Sequence, residues 1–327
     1  MSQTPSIDEI LHMDVARFEE YALQVFHHQA IHCPIYAQYI KAISKAAISV
    51  NNLEEIPFLP IEFFKSHRIV TGIYEAETAF TSSGTTGSNH AVHHMKSLAA
   101  YEQVFTRIFE TNYGSLADYC VAALLPSYLE RTGSSLVFMA NHFISKTTEN
   151  GSGFFLYNHA ELAALLTRCE KRGQKALLLG VTFALLDFAE NQPMPLKNTL
   201  VMETGGMKGR REELTRQQVH EILGEAFNLK QVHSEYGMTE LMSQAYSQGE
   251  GVFQCPSWMR LLVRETTDPL SISSSGKGCL NVIDLANLHS CSFIATQDLG
   301  HVLPDGRFEV LGRMDHTEAR GCNLMLQ

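Results

Sequence analysis

The sequence is poor in several features that mark whole classes of proteins. Only 18% of its 327 residues are charged, and the longest notable uncharged run, residues 176–186, has 11 positions. A membrane-spanning helix needs about 20. The first ten residues contain two acids and no basic residue, whereas a secretory signal peptide begins with positive charge. We therefore expect neither a membrane span nor a signal peptide.

Basic residues are also scarce. Lys and Arg number 25 against 35 Asp and Glu, which gives a formal net charge of −10. Proteins that bind nucleic acids or anionic membranes attach to these polyanions through positive charge. The balance therefore excludes general binders of both kinds, while a local basic pocket for one phosphate stays compatible with it.

The seven cysteines form no CxxC pair and no cluster with the spacing of metal ligands. Because their number is odd, a complete set of internal disulfides would leave one over, which is typical of free thiols in a reducing compartment. Together with the absence of a signal peptide, this predicts a cytoplasmic protein.

Short apolar runs alternate with helical patterns over much of the chain. Such continuous apolar strands indicate a mainly parallel sheet that helices cover on both faces. Residues 1–50 are predicted to be helical and residues 68–74 to form a strand. The next predicted helices are 97–111, 136–143, 160–172 and 211–227, and the strands between them are 120–125, 175–179 and 199–202.

After about residue 250 the helical patterns give way to short strands separated by turns. These predicted strands are 259–264, 279–284, 292–296 and 308–311. We therefore predict an α/β fold with mainly parallel sheets flanked by helices. Residues 1–250 would form the α/β body, and residues 251–327 a β-rich subdomain with a hinge and a tail.

The strongest local signal for chemistry is the run Thr81-Ser82-Ser83-Gly84-Thr85-Thr86-Gly87. Hydroxyl and glycine residues suit a loop whose backbone amides and hydroxyls approach phosphate oxygens. A solvated turn has the same composition. The run is not a Walker A loop, because that motif needs a Lys and here Ser88 follows Gly87.

A second polar segment, residues 233–240, combines an aromatic residue, a hydroxyl and two acids around a glycine. Tyr236 is able to stack on a base, Thr239 to contact a phosphate, and Glu235 or Glu240 to bind a hard cation through carboxylate oxygen. Taken alone, the segment is explained as well by a strand that ends in a polar turn.

Two further segments carry single charged residues of interest. Asp298, within residues 296–300, is able to accept hydrogen bonds from ribose hydroxyls, and Arg313, within residues 311–315, offers a guanidinium to phosphate or ribose oxygen. Neither segment is specific by itself.

The order and spacing of these segments resemble the adenylate-forming superfamily, which includes acyl-CoA synthetases, phenylacetate-CoA ligases and the acyl-protein synthetases of bacterial luminescence. The family pattern is a Ser/Thr/Gly loop, a Gly-Gly turn, a YGxTE segment, a TxDLG segment and a GRxD hinge. The matching positions are residues 82–87, Gly205-Gly206, 236–240, 296–300 and 312–315. The five matches run in the family's order and cover most of the chain from about residue 60.

Three other segments resemble particular branches of this superfamily. Phe63-Phe64-Lys65 and Asp284-Leu285-Ala286-Asn287 are similar to the phenylacetate-ligase and acyl-protein-synthetase branch, and residues 320–324 to the acyl-protein synthetases. In that last group, an acyl group moves from acyl-AMP to a Cys near the C-terminus. Cys322 is the matching position.

The resemblance implies the large N-terminal domain of an adenylate-forming enzyme, with ATP and Mg²⁺ as cofactors. A fatty or aromatic carboxylic acid would be activated as acyl-AMP, and its acyl group would pass to a thiol of the protein, of a carrier protein or of CoA. Glu240 is the implied Mg²⁺ ligand, Thr239 a phosphate donor and Cys322 the acyl carrier. The implied ATP-binding positions are Thr81, Ser82, Ser83, Gly84, Thr85, Thr86, Gly87, Gly205, Gly206, Glu235, Tyr236, Gly237, Met238, Asp298 and Arg313.

The chain departs from the family pattern in two ways. Many members carry a basic residue soon after the Ser/Thr/Gly loop, where this sequence has His90, His93 and His94 before Lys96. Full-length members also continue with a C-terminal lid, whereas this sequence has 14 residues after Arg313. Two alternatives therefore stay open: a CoA or carrier-protein ligase whose lid is a second polypeptide, and a nucleotide- or acyl-binding protein without catalysis.

Overall fold

Apolar residues at helical spacing build the N-terminal part of the computed structural model, which describes residues 4–43, 49–82, 90–125, 133–205 and 214–314. Three helices come first, α1 (Ile7–Leu11), α2 (Phe18–His32) and α3 (Pro34–Ala42). Ser6 caps α1 in a capping box with Glu9, which satisfies two backbone N–H groups at the helix start. Phe26 of α2 meets Phe293 with ring centroids 5.9 Å apart, so these helices pack on the C-terminal strands.

A small hairpin follows the N-terminal helices. After β1 (Leu59–Pro60) and α4 (Phe63–Ser66), strands β2 (Thr78–Thr81) and β3 (Val92–Met95) pair antiparallel. The predicted strand at residues 68–74 is wrong. Gly72 has a φ of +81°, which interrupts an extended run, and its amide donates to His32 O at 2.8 Å rather than to a strand.

Helices and strands then alternate as the sequence predicts, although the helix Thr182–Asn191 and the short strand Gly153–Phe155 are not among the predicted elements. The helices are α5 (Leu98–Tyr113), α6 (Ser135–Lys146), α7 (His159–Arg172), α8 (Thr182–Asn191) and α9 (Arg216–Phe227). The strands are β4 (Cys120–Leu124), β5 (Gly153–Phe155), β6 (Ala176–Val181), β7 (Thr199–Thr204) and β8 (His233–Tyr236). They pair in parallel in the order β5-β4-β6-β7-β8. All residues of β4 and β6 are buried, as expected where helices cover both faces.

The remaining strands pair antiparallel and continue the same sheet. They are β9 (Ala245–Ser247), β10 (Val252–Gln254), β11 (Met259–Arg264), β12 (Ile272–Ser273), β13 (Gly276–Asp284), β14 (Phe293–Val302) and β15 (Phe308–Arg313). From β8 the order is β9-β10-β15-β14-β13-β11-β12, and β1 joins β14 in parallel. Within the described residues, 13 strands thus share one sheet.

The predicted α/β fold class is confirmed by this arrangement. Its two halves meet at β8 and β9, where parallel pairing changes to antiparallel pairing. Because the sheet crosses residue 250 without a break in pairing, the division into residues 1–250 and 251–327 stays a prediction. No helix among the described residues has the length and apolar character to cross a bilayer.

Candidate functional site

A wide cleft of about 2400 Å³ opens along the carboxyl ends of β7 and β8. Every described member of the predicted site lines it, namely Thr81, Ser82, Gly205, Glu235, Tyr236, Gly237, Met238, Thr239, Glu240, Asp298 and Arg313. The other predicted members, Ser83, Gly84, Thr85, Thr86, Gly87, Gly206 and Cys322, lie outside the described residues. Ligands of open α/β sheets commonly bind at such strand ends.

The hairpin of β2 and β3 brings Thr81 and Ser82, at the start of the Ser/Thr/Gly run, and His90, which follows the run, to the cleft. Ser82 N donates to Ala91 O at 3.0 Å, and Ala91 N donates to Ser82 Oγ at 2.9 Å. His90 Nδ1 lies 2.8 Å from Ser82 O, and His90 also lines the cleft. Ser82 is therefore held to His90 and Ala91 by hydrogen bonds that continue the hairpin.

His93, one of the three histidines after that run, is a buried hydrogen-bonding residue and not a surface cation. Its side chain is buried, and Nδ1 lies 2.8 Å from Thr239 O. Burial lowers the pKa of His93 to about 4, so the ring is neutral at neutral pH and donates its N–H to that carbonyl. His93 thus ties the hairpin to the YGxTE segment and brings no positive charge to the cleft.

Alternation along β8 sends Glu235 and Tyr236 to opposite faces of the sheet. The Tyr236 hydroxyl donates to Asp298 Oδ2 at 2.8 Å. Its ring meets Phe253 and Phe308 edge-on, with centroids 5.9 and 5.3 Å away. Only 8% of Tyr236 is exposed, and its main role in the fold is to hold Asp298.

Asp298 also faces Arg313, because the two residues are cross-strand partners in the β14–β15 pair. Arg313 Nε lies 3.5 Å from Asp298 Oδ1, and the arginine side chain is 74% exposed against 14% for the aspartate. The TxDLG and GRxD segments therefore meet side by side, with a carboxylate at the cleft wall and a guanidinium at its open edge.

Glu240 is a buried carboxyl on the cleft wall. Burial raises its pKa, which the positive charges of Arg313 and Lys65 partly counteract. Lys65 lies on α4 and lines the cleft. In the sequence, Lys65 stands out only as a mark of a family branch and has no predicted role; its adjacency to Glu240 depends on β1, which carries α4 to β14.

The loop that follows Glu240 is fastened by Asp284 at the end of β13. Asp284 accepts hydrogen bonds from Met242 N at 2.8 Å, Ser243 N at 2.9 Å and Ser243 Oγ at 2.7 Å. Asn287 Nδ2 donates to Glu240 O at 2.9 Å. The Asp-Leu-Ala-Asn segment, which the sequence marks only by its resemblance, therefore positions the YGxTE segment.

Glu235 has different surroundings from Tyr236. Thr204, its partner in the β7–β8 pair, donates from Oγ1 to Glu235 Oε2. Burial raises the pKa of Glu235 to about 7; the bond from Thr204 opposes this change, and the negative charge of Glu203 adds to it. The carboxyl is therefore poised between its neutral and charged forms near neutral pH.

Glu203, on the same face of the sheet as Tyr236, belongs to none of the predicted motifs. Arg216 Nε lies 3.2 Å from Glu203 Oε1, and Thr182 Oγ1 donates to Oε2 at 3.0 Å. Although burial opposes ionisation, His220, Arg216 and Ser234 together lower the pKa of Glu203. Arg216 also donates to Val310 O at 3.2 Å, so this charged group joins α9 to β15 along the wall of the cleft.

Comparison with known proteins gives a short sequence match and many structural ones. No protein-family model matches the chain. The long-chain-fatty-acid–luciferin-component ligase of Photorhabdus luminescens is 38% identical over 66 residues, which are 20% of this chain and 56% of that protein. The matched region therefore spans about half of that ligase.

Two solved structures show the similarity of fold. MatB from Rhodopseudomonas palustris, determined with ATP bound, has 16% identity and a TM-score of 0.51 over 72% of this chain and 47% of its own. O-succinylbenzoate coenzyme A synthetase (MenE) from Bacillus subtilis, in complex with ATP and magnesium ion, has 17% identity and a TM-score of 0.51 over 72% of this chain and 50% of its own. The chain thus spans about half the length of both enzymes. The predicted resemblance to adenylate-forming enzymes is thereby confirmed at the level of the fold.

Proposed function

We propose that this chain activates a carboxylic acid with ATP and then transfers the acyl group to a thiol. In the first step a carboxylate oxygen attacks the α-phosphorus, the bond to the β,γ-diphosphate breaks, and pyrophosphate leaves. In the second, a thiolate attacks the acyl carbon and AMP leaves. The observation that carries the proposal is the convergence of residues from five separate sequence segments on one cleft.

The nucleotide would occupy the Tyr236 face of β8. Asp298 is the proposed acceptor for ribose hydroxyls, since its carboxylate is held by Tyr236 at 2.8 Å and approached by Arg313 at 3.5 Å. A carboxylate fixed in this way needs little reorganisation when ribose binds. With 8% of its surface exposed, Tyr236 contributes mainly by orienting Asp298, and only its edge is left to touch adenine.

Charge neutralisation is the main physical demand of the first step. Two unit negative charges 4 Å apart repel each other by roughly 4 kcal/mol at an effective dielectric constant of 20, and both the acid and the α-phosphate are anionic. Lys65 and Arg313 line the cleft and act electrostatically on Glu240. We propose that they supply the positive charge that the buried, neutral His93 does not.

The donor set around Glu240 fits Mg²⁺. This ion is usually held by one or two carboxylates together with phosphate oxygens and water, and Glu240 offers a carboxyl to the cleft beside the hydroxyl residue Thr239. When bound, Mg²⁺ would neutralise phosphate charge. Among the described residues, no group of three or more His, Cys, Asp and Glu side chains is arranged to hold a metal, so the proposed site relies on ATP for its other ligands.

The acyl acceptor is proposed from the resemblance alone. Cys322 matches the acyl-carrying position of acyl-protein synthetases, and a carrier protein or CoA is the alternative thiol. Cys322→Ser should leave adenylation intact and abolish covalent labelling by a radioactive acid with ATP. Full labelling of the Ser variant would exclude this cysteine, and transfer to added CoA would then favour the alternative.

Hydroxylamine trapping tests the first step. ATP, Mg²⁺ and a panel of fatty and aromatic acids should yield a hydroxamate with at least one acid. Glu240→Gln should lower the rate by about 10²-fold or more, since it removes a charge from the reacting centre. Glu54→Gln, at an exposed position outside the cleft, is the matched control. Binding of ATP without a hydroxamate from any acid would favour the non-catalytic binding protein.

A further inference from the structure

The Glu235 face of β8 forms a second, polar part of the cleft. It is lined by Tyr101 from α5, Ser135 from α6, Thr204, Glu235 and Gln244. These side chains lie on the other face of the sheet from Tyr236 and Asp298, because β8 alternates. Under the proposed function, the acid substrate occupies the space that the nucleotide does not, and these polar groups would then meet the acid.

Two acceptor groups come together there. Gln244 is 4% exposed, and its Oε1 has no hydrogen-bond partner within the described ranges. For the Glu235 carboxyl, the hydrogen bond that the structure describes reaches Oε2 from Thr204. A Cβ added to Gly237 would collide with Glu235 Oε1 and lie 3.3 Å from Gln244 Cγ, so both side chains pack against the same stretch of backbone.

An unpaired buried acceptor is uncommon in folded proteins and calls for an explanation. The neighbouring hydroxyl of Tyr101 does not supply the missing partner of Gln244 Oε1. Burial and the charge of Glu235 raise the pKa of Tyr101, while hydrogen bonds from Ser135 and Gln244 lower it. Because the NH2 group of Gln244 donates towards Tyr101, the carbonyl oxygen of Gln244 is the atom left without a partner.

We infer that the acid substrate carries a hydrogen-bond donor, a hydroxyl or an ammonium group, which binds between Gln244 and Glu235. This inference rests on the proposed function. A donor on the substrate would pair with Gln244 Oε1 and with the ionised Glu235 carboxylate, whereas an unsubstituted hydrocarbon chain would leave Gln244 Oε1 unpaired and desolvated. The substrate class therefore differs from the plain long-chain fatty acid named for the curated relative.

Matched acids test the inference on the wild-type chain. One series is 3-(4-hydroxyphenyl)propanoate, 3-phenylpropanoate and 3-(4-methoxyphenyl)propanoate; the other is 8-hydroxyoctanoate, 8-aminooctanoate and octanoate. In at least one series, kcat/KM for hydroxamate formation should be about tenfold or more higher for the donor-bearing acid, since a site built around a hydrogen bond discriminates against analogues that lack it. The methoxy acid has similar size and an acceptor but no donor, and it should behave like the plain acid.

Two variants locate the recognition. Gln244→Leu should bring the ratio between donor-bearing and plain acids close to one, while Gln248→Leu, at an exposed position outside the cleft, should keep it. Glu235→Gln should reduce the preference for 8-aminooctanoate more than that for 8-hydroxyoctanoate, because only the ammonium gains from a carboxylate charge. The wild-type ratios remain decisive if Gln244→Leu fails to fold.

The outcomes distinguish a failure of this inference from a failure of the proposed adenylating function. Equal or better use of the plain acids in both series would overturn the inference and leave adenylation standing. A preference seen only in the aromatic series and shared by the methoxy acid would overturn it as well, because the methoxy acid has no donor. A ratio unchanged in Gln244→Leu would overturn the assigned position. No hydroxamate from any acid, plain or substituted, would overturn the proposed function itself.

Discussion

The two faces of the short strand β8 carry opposite kinds of polar chemistry. On the Tyr236 face, the hydroxyl is bonded to Asp298, and Arg313 faces that same carboxylate. On the Glu235 face, Gln244 keeps an unpaired oxygen, and the carboxyl has a pKa of about 7. On the first face protein partners hold the carboxylate in place, while on the second a buried amide oxygen has no partner among the described residues.

This difference suggests that one face binds the nucleotide and the other selects the acid. A nucleotide offers the same ribose and phosphates in every turnover, so a preorganised group such as Asp298 recognises it with little cost in reorganisation. The acid determines specificity, which a buried acceptor provides by penalising ligands without a donor. Four changes at single residues test whether the faces are independent.

Asp298→Ala should have the largest effect and act on the nucleotide face only. It removes the proposed ribose acceptor and leaves the buried Tyr236 hydroxyl without its partner. With two charge-assisted bonds lost, kcat/KM for ATP should fall by about 10³-fold, and Asp298→Asn should retain part of it. The preference for donor-bearing acids should not change. If that preference collapses together with ATP use, the two faces are not independent.

Glu235→Gln tests the acid face through the pH dependence of stability. The pKa of Glu235 is about 7 in the folded protein, against an ordinary value of 4.5. Between these values the unfolded chain releases a proton that the folded protein keeps, so ionisation increasingly favours unfolding as pH rises. Relative to Glu235→Gln, the wild type should lose about 3 kcal/mol between pH 4 and pH 8.

Urea unfolding of both proteins across that pH range measures this difference. The other acids are present in both proteins, so the difference reports the ionisation of Glu235 together with its coupling to Glu203. Parallel stability curves would show that Glu235 has an ordinary pKa, and the polar character assigned to its face would then rest on Gln244 alone.

Gly237→Ala should disturb the acid face through packing. The new Cβ would collide with Glu235 Oε1, which must move although Thr204 holds the carboxyl from the other side. Overpacking of this kind typically costs about 1–3 kcal/mol of stability. Thermal unfolding measures that loss, and acid discrimination should weaken while KM for ATP changes little. A larger effect on ATP than on the acid would contradict the separation.

The fold was largely predictable because its strongest signals are local. β4 and β6 are continuous apolar runs and were predictable as strands. The helix α8, which follows β6 directly, was not predicted, because its first residues continue the same uncharged run, residues 176–186. The failure at residues 68–74 is also physical. These residues are rich enough in β-branched and aromatic types to favour a strand. The positive φ of Gly72 decides against it, as do the hydrogen bonds of Gly72 N to His32 O in α2 and of Thr71 N to His289 O.

Of the site, only the residues that belong to sequence motifs were predictable. Tyr236 and Asp298 were placed in one cleft from their segments, yet the bond between them joins positions 62 residues apart, which no local pattern indicates. His93 stands near the position where family members carry a basic residue, but the sequence does not reveal that it is buried, and burial makes it neutral. Lys65 and Gln244 are single polar residues whose importance arises from the strand pairing around them.

Arg313→Lys should have the smallest effect, because Arg313 lies at the open edge of the nucleotide face. Arg313 approaches Asp298 through one nitrogen at 3.5 Å and is 74% exposed, so solvent screens the pair, and such pairs contribute less than about 1 kcal/mol. Because lysine keeps the charge, KM for ATP should rise only about two- to fivefold, with unchanged acid preference. A loss as large as that of Asp298→Ala would show that the guanidinium itself binds the nucleotide, and the edge would then belong to the reacting centre.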